Sequence, residues 1–247
     1  MKDTLLLQRA QALKLYGLIA HWNEVEVSDW ITRVIDWEEA ERSNRGLQRR
    51  IVKAHLGRFK PLIDFDWQWP KKCDRMVIEN LLELDFIKEN TNIILCGPNG
   101  VGKTTLAKNI AYHAVCRGHT ALFITASEML NELTALGKDI SLNRRFRYYM
   151  QPSILVIDEL GYLSYSNRHA DLLFEIISRR YEKKSTIVTT NKAFNEWGTI
   201  FPNAACVTSL IDRLVHNAEI INIEADSFRV KESKEKNIER DKRRKKK

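Results

Sequence analysis

Along residues 92–223, five short apolar runs alternate with longer amphipathic stretches. The runs fall at 92–96, 120–124, 154–161, 186–190 and 219–223. Each is too short for a buried helix and rich in β-branched residues, and so predicts a buried strand. Between them, 103–117, 126–136, 168–182 and 209–218 carry apolar residues at helical spacing, and Gly118 stands where the first of these helices would need a left-handed residue to end. Strands alternating with helices predict a predominantly parallel sheet covered by helices, with a ligand site outside the carboxyl ends of the strands.

Upstream the periodicity is helical. Leu5, Leu6, Ala10, Leu13, Tyr16 and Gly17 predict a helix over 4–20. A second pattern opens at Ser28, a residue suited to N-capping, and carries Trp30, Ile31, Val34, Ile35 and Trp37 into a charged stretch. Residues 61–75 have two prolines and several large aromatics without a period, which predicts a linker pinned by aromatic packing, and 76–86 a lead-in helix. The expected organisation is a small all-helical domain at 1–60, a linker at 61–75, an α/β domain at 76–230 and a basic tail at 231–247.

Composition changes this picture little. The chain has 247 residues, 44% of them hydrophobic, as a folded α/β domain with an appendage requires. No apolar stretch approaches the roughly 18 residues that span a bilayer, and polar residues interrupt the N-terminal run, making it a poor signal peptide. A cytoplasmic location without membrane contact is the expectation. Cys73, Cys96, Cys116 and Cys206 are scattered, which indicates neither zinc nor a disulfide framework but small buried hydrophobes. The net charge of +8 is uneven: residues 231–247 hold ten Lys or Arg against four Asp or Glu. That tail reads equally as a solubilising end or as a non-specific phosphate contact.

The chemistry centres on GPNGVGKTT, Gly97, Pro98, Asn99, Gly100, Val101, Gly102, Lys103, Thr104 and Thr105, between a predicted strand and a predicted helix. This is the phosphate-loop pattern in its required context: backbone N–H groups and a helix N-terminus surround a polyphosphate. Lys103 would reach the β- and γ-phosphates and the Thr104 hydroxyl would coordinate Mg²⁺, so ATP and Mg²⁺ are the expected cofactors. Downstream, ILVIDE delivers two carboxylates at the end of a buried strand. Asp158 suits the Mg²⁺ shell, and Glu159 suits deprotonation of an attacking water. Asn191, at the tip of the fourth strand, is placed to position that water or the γ-phosphate. Arg213, on the following helix, could point into a neighbouring subunit's ATP. Arg42, Arg45, Arg49, Arg50, Lys53, Arg58 and Lys60 make one predicted helix strongly basic. It reads either as a duplex-backbone binder or as a solvated face partly neutralised by Glu38, Glu39 and Glu41.

Five blocks carry a family resemblance: ERSNRGLQRRIVKAHL, ILCGPNGVGKTTLAKNIA, ILVIDELGYLSY, ADLLFEIISRRYEKKSTIVTTNKAFNEWGTIF and SLIDRLVHNAEIINIEADSFRVKE. Over residues 1 to 233 the chain resembles the AAA+ ATPases of the bacterial helicase-loader group, and more closely the IstB-like ATP-binding helpers of insertion sequences. The resemblance implies a P-loop NTPase core, a three-layer αβα fold with a five-stranded parallel sheet in the order 5-1-4-3-2. It also implies ATP-dependent homo-oligomerisation on duplex DNA and co-operation with a DDE-type transposase. By motif, Lys103 and Thr104 are the Walker A pair, Asp158 and Glu159 the Walker B pair, Asn191 is sensor 1, and Arg213 is the arginine finger given in trans. ADSFR stands where the family often has GxSYR, so no nucleotide role carries over to Arg229, and little chain remains for a helical lid. A replicative helicase loader acting on single-stranded DNA shares the same machinery. A small-molecule kinase shares only the phosphate loop.

Overall fold

The structure, a computed structural model, describes residues 2–24, 29–136, 140–162, 165–201, 204–233 and 237. They divide into two units, 1–50 and 51–247.

In the first unit the expected helix over 4–20 is two helices, α1 (Lys2–Ala12) and α2 (Tyr16–Ala20), because Lys14 takes a left-handed φ of 53°. Leu6, Ala10 and Leu13, at helical spacing, are buried, while Leu5 on the other face of α1 and Tyr16 past the break are exposed. The long helix α3 (Asp29–Ala54) adds Ile31 and Ile35 to that core, and Trp30 and Trp37 face outward. The candidate cap Ser28 lies outside the described residues. Arg9 ties α1 to α3 through Asp36 at 2.5 Å and Glu39 at 2.6 Å. Its guanidinium holds the Glu39 carboxyl below the usual range.

The basic stretch is not one helix. α3 ends at Ala54, His55 turns at φ 52°, and Arg58 and Lys60 lie beyond it. On α3, Arg42 and Arg45 are bonded to Glu38 and Glu41 one turn back, at 2.5 and 3.2 Å.

In the second unit the expected lead-in helix is also interrupted. Leu84 adopts φ 68°, separating α4 (Arg75–Leu81) from α5 (Asp85–Lys88). The α/β order follows: β1 (Asn92–Cys96), α6 (Lys103–Cys116), β2 (Ala121–Thr125), α7 (Ala126–Ala135), α8 (Ile140–Met150), β3 (Ile154–Leu160) and α9 (Asn167–Arg180). Then come β4 (Ser185–Thr190), α10 (Trp197–Ile200), α11 (Ala204–Val215) and β5 (Ala218–Asn222). All pairings are parallel and the order is β2-β3-β4-β1-β5, the expected arrangement read from the other edge. β1, β3 and β4 are almost wholly buried, as strands covered on both faces must be, whereas the edge strand β5 is mostly not. Local chemistry sets the helix starts. Thr125 and Glu128 form a capping box at α7, and Ser166 accepts from the His169 amide at α9. The basic aromatic stretch 143–150 lies within α8, with Phe146 and Tyr149 in the core. Of the four cysteines none is fully buried, and Cys116 is exposed.

Residues 61–75 pack as a strap rather than a free connector. Lys72 and Glu224 exchange backbone hydrogen bonds of 3.1 and 2.9 Å, and the Trp69 indole donates to the Asp226 carbonyl at 2.9 Å. Residues 228–233 are helical, Lys231 pairs with Asp66 at 3.1 Å and Glu232 with Lys60 at 2.6 Å. Residues 234–236 and 238–247 lie outside the described residues.

Arg180 is the largest buried charge, 2% exposed at the end of α9. Its guanidinium donates to the carbonyls of Tyr149, Pro152, Ser153 and Ser185 and to the Thr186 hydroxyl, at 2.6 to 3.3 Å. Burial pulls its pKa down, and the five acceptors oppose that pull. It joins the ends of α8 and α9 to the starts of β3 and β4. Arg180→Met leaves four carbonyls without this donor and is expected to cost on the order of 3–5 kcal/mol, read as a lower denaturation midpoint. An unchanged midpoint would mean that water replaces the guanidinium at no cost.

Candidate nucleotide site

β1 lies between β4 and β5, so the turn leaving it opens at the carboxyl edge of the sheet. Gly97 N–H donates to Thr190 O at 3.1 Å, fixing the start of the loop on β4. Two glycines let the loop curl under close neighbours. At Gly100 (φ 80°) a Cβ would stand 2.3 Å from Ser227 Oγ, and at Gly102 (φ 103°) 2.6 Å from the Phe65 ring. The loop is therefore packed from behind by the strap and by the segment after β5.

Lys103 opens α6 and is 6% exposed, its ammonium donating to the Gly97 and Pro98 carbonyls at 2.6 and 2.7 Å. Burial, aided by the charge of Arg229, lowers its pKa, while Cys96 and Asp158 oppose that shift. Thr104 Oγ1 donates to both Asp158 oxygens, at 3.0 and 3.1 Å. Asp158 is buried and also accepts from Thr189 Oγ1 at 2.5 Å.

Glu159 differs from Asp158 in every respect. It has φ 60°, uncommon for a non-glycine residue, at a register shift between Ile157 and Leu160. Its amide donates to Thr189 Oγ1 at 2.9 Å, and its carboxylate makes no hydrogen bond or ion pair among the described residues. The bulge turns Glu159 into the loop's cavity instead of the sheet. That cavity, about 220 Å³, is lined by Gly100, Gly102, Lys103, Thr104, Glu159 and Arg229, among others.

The structure thus gathers the phosphate loop, Thr104, Asp158 and Glu159 at one place. It brings Lys60 to the same cavity wall, away from the basic helix face on which the sequence pattern had put it. Asn191 stands just past β4 with its Oδ1 enclosed and without a protein partner among the described residues, but it does not line the cavity. Arg213 is elsewhere: it donates to Ser178 Oγ and lies 4.6 Å over the Phe174 ring, on the α11–α9 contact. Sequence reasoning missed Thr189, which bonds both Asp158 and the Glu159 amide, and Tyr162, whose hydroxyl bonds Asn99. Only the position of Thr189 next to the end of an apolar run could have signalled it.

The donor set fits the groups that the motif implies. Thr104 and Asp158 offer hard oxygen ligands to Mg²⁺, which characteristically takes one or two protein oxygens and completes its shell with phosphates and water. The loop amides and Lys103 suit a polyphosphate.

A parallel sheet ordered β2-β3-β4-β1-β5, with a phosphate loop after β1 and an acidic pair on β3, defines a P-loop nucleotide-binding protein of the AAA+ type. Within that class the family is shown: residues 2–236 match the model of the IstB-like ATP binding protein, and the chain belongs to this family. A protein of insertion sequence IS5376 from Geobacillus stearothermophilus, named for ATP binding, is 35% identical over 215 residues, 87% of this chain and 86% of the relative. Its counterpart in IS21 from Pseudomonas aeruginosa is 34% identical, over 87% of this chain and 81% of its own. Among solved structures, DnaI superposes with a TM-score of 0.58 at 24% identity, over 68% of this chain and 92% of DnaI, a likeness of fold.

Proposed function

We propose that the protein is an ATP-hydrolysing helper of DNA transposition that assembles on duplex DNA with ATP and is released on hydrolysis. The observation that carries the ATPase reading is the division of labour between the two carboxylates. Asp158 is locked by Thr104 and Thr189, and Glu159 stands in the same cavity, unpaired among the described residues. Bound Mg²⁺, held by Thr104 and Asp158, would supply charge neutralisation at the phosphates. Lys103 and the loop amides orient the phosphates. Glu159 takes a proton from water as the water oxygen bonds to the terminal phosphorus, and the bond to the ADP oxygen breaks, giving ADP and phosphate. Asn191, with an enclosed oxygen that has no partner among the described residues, serves as the polar sensor at the tip of β4.

Family membership and relatives named from insertion sequences support the transposition context, with the element's DDE-type transposase as partner. Arg42, Arg45, Arg49, Arg50 and Lys53 along α3 provide phosphate-backbone contacts to duplex DNA. Among the described residues no helix is long and apolar enough to cross a membrane. A helper that works on the element's DNA acts in the cytoplasm. Arg213, remote from its own cavity, acts on the ATP of a neighbouring subunit in a homo-oligomer.

The test is steady-state ATP hydrolysis with and without duplex DNA at fixed salt. Wild type is expected to be stimulated by DNA. Arg213→Ala is expected to lose roughly a thousandfold or more of the rate, as removal of an arginine finger does. A rate indifferent to DNA would separate the ATPase from DNA assembly, and a fully active Arg213→Ala would end the trans assignment.

A further inference from the structure

Just past the end of α3 the chain is fastened to the helix that Lys103 opens. The buried Asn109 side chain on α6 donates through Nδ2 to the Lys60 carbonyl at 2.9 Å and to the Thr105 carbonyl at 2.8 Å. Beside it the Phe59 ring meets Tyr112 edge-on, 5.7 Å between centroids. The backbone at Lys60 is therefore set by α6. Its ammonium pairs with Glu232 at 2.6 Å and lies 5.0 Å from the centre of the Phe228 ring.

Both members of this ion pair line the cavity of the phosphate loop. Toward a polyphosphate they are opposites: Glu232 repels it and Lys60 attracts it. The pair is also weakly held, because its side chains are 52% and 33% exposed and water competes for both. A second, smaller cavity lies beyond Phe228, among Phe65, Trp69, Pro70 and Val101. Lys60, Thr105 and Phe228 line both cavities, whereas Glu159, Tyr162 and Thr189 line the first alone. Lys60 thus belongs to the shared wall, and the general base does not. A cation there meets the inner phosphates, which ATP and ADP have in common.

We infer that Lys60 is a further nucleotide-binding residue: a polyphosphate draws it away from Glu232, and its ammonium then contacts a phosphate common to ATP and ADP. This rests on the ATP-site reading above. The flexible four-carbon stem of lysine allows the exchange while Asn109 keeps the backbone in place. A phosphate group is a strong charged acceptor, and it offers the ammonium a replacement for the carboxylate it leaves.

Calorimetric titration with a non-hydrolysable ATP analogue and with ADP, both with Mg²⁺ at one low salt concentration, tests it on wild type, Lys60→Ala, Glu232→Gln and the double variant. Lys60→Ala is expected to weaken both nucleotides roughly tenfold, the low end for a charged hydrogen bond because the side chain is half exposed. Glu232→Gln should tighten both, since it releases the ammonium and removes a like charge from the cavity. Adding Lys60→Ala to Glu232→Gln should again cost roughly tenfold or more. If Glu232→Gln weakens binding as Lys60→Ala does, the pair is a structural tie. If Lys60→Ala costs nothing, alone or in the Glu232→Gln background, Lys60 at most screens Glu232. A loss confined to the ATP analogue would put Lys60 at the terminal phosphate instead. Each of these three results overturns the inference and leaves the ATP site standing. A wild type that binds neither nucleotide would overturn the underlying site as well.

Discussion

Lys103→Ala is expected to remove ATP binding while leaving the fold intact. Lys103 is nearly buried, at 6% exposure, yet among the described residues its ammonium has no carboxylate partner and is held by two loop carbonyls. A buried cation satisfied only by neutral acceptors gains most when an anion reaches it. Alanine removes at least two charge-assisted bonds to the phosphates, about 3 kcal/mol or more, and so costs at least roughly a hundredfold in affinity. Direct titration measures this, with thermal melting to confirm the fold; binding within a few-fold of wild type would exclude the loop as the phosphate site. The lowered pKa of Lys103 adds a pH signature. The cation is the binding form, so wild-type affinity falls as pH rises through a value below the ordinary 10.5 of lysine.

Glu159→Gln should separate hydrolysis from binding. Glutamine keeps the size of the side chain and removes only its ability to take a proton. Among the described residues the Glu159 carboxylate has no partner, whereas Thr104 and Thr189 bond its neighbour Asp158. Its left-handed φ of 60° costs on the order of 1 kcal/mol, a strain that the bulge imposes to turn this side chain toward the cavity. The rate should fall roughly a hundred- to ten-thousandfold, the range of general-base catalysis, with ATP affinity nearly unchanged. Single-turnover hydrolysis beside titration gives both numbers. A variant that hydrolyses at the wild-type rate would move the base elsewhere, and one that loses binding would make Glu159 a ligand rather than a base.

Much of the α/β core was legible because its signals are local. Buried parallel strands appear as apolar runs, and a phosphate loop has a fixed spacing, so β1 and the loop fall where the pattern put them. The breaks were not legible. Lys14, His55 and Leu84 take positive φ without being glycine, which no spacing announces, and each cut an expected helix short or in two. Contacts distant in sequence were equally hidden. Phe65 under Gly102 and Ser227 under Gly100 explain why those glycines are needed, but the two segments looked like a linker and the lead into a tail. The bulge that separates the roles of Asp158 and Glu159 is a register shift against β4, invisible in a run that reads simply as ILVIDE. Lys60 looked like part of a basic helix face because the end of α3 could not be read from composition.

Sedimentation velocity with duplex DNA at one fixed salt concentration, comparing ATP with ADP, tests the central claim most directly; salt is held constant because backbone affinity falls steeply with it. Wild type should form a large DNA-bound assembly with ATP that is lost with ADP. Lys103→Ala should form none, and Glu159→Gln should hold the assembly after wild type has released it. Equal sedimentation of wild type with both nucleotides would contradict the account, leaving an ATP site with no hold on DNA.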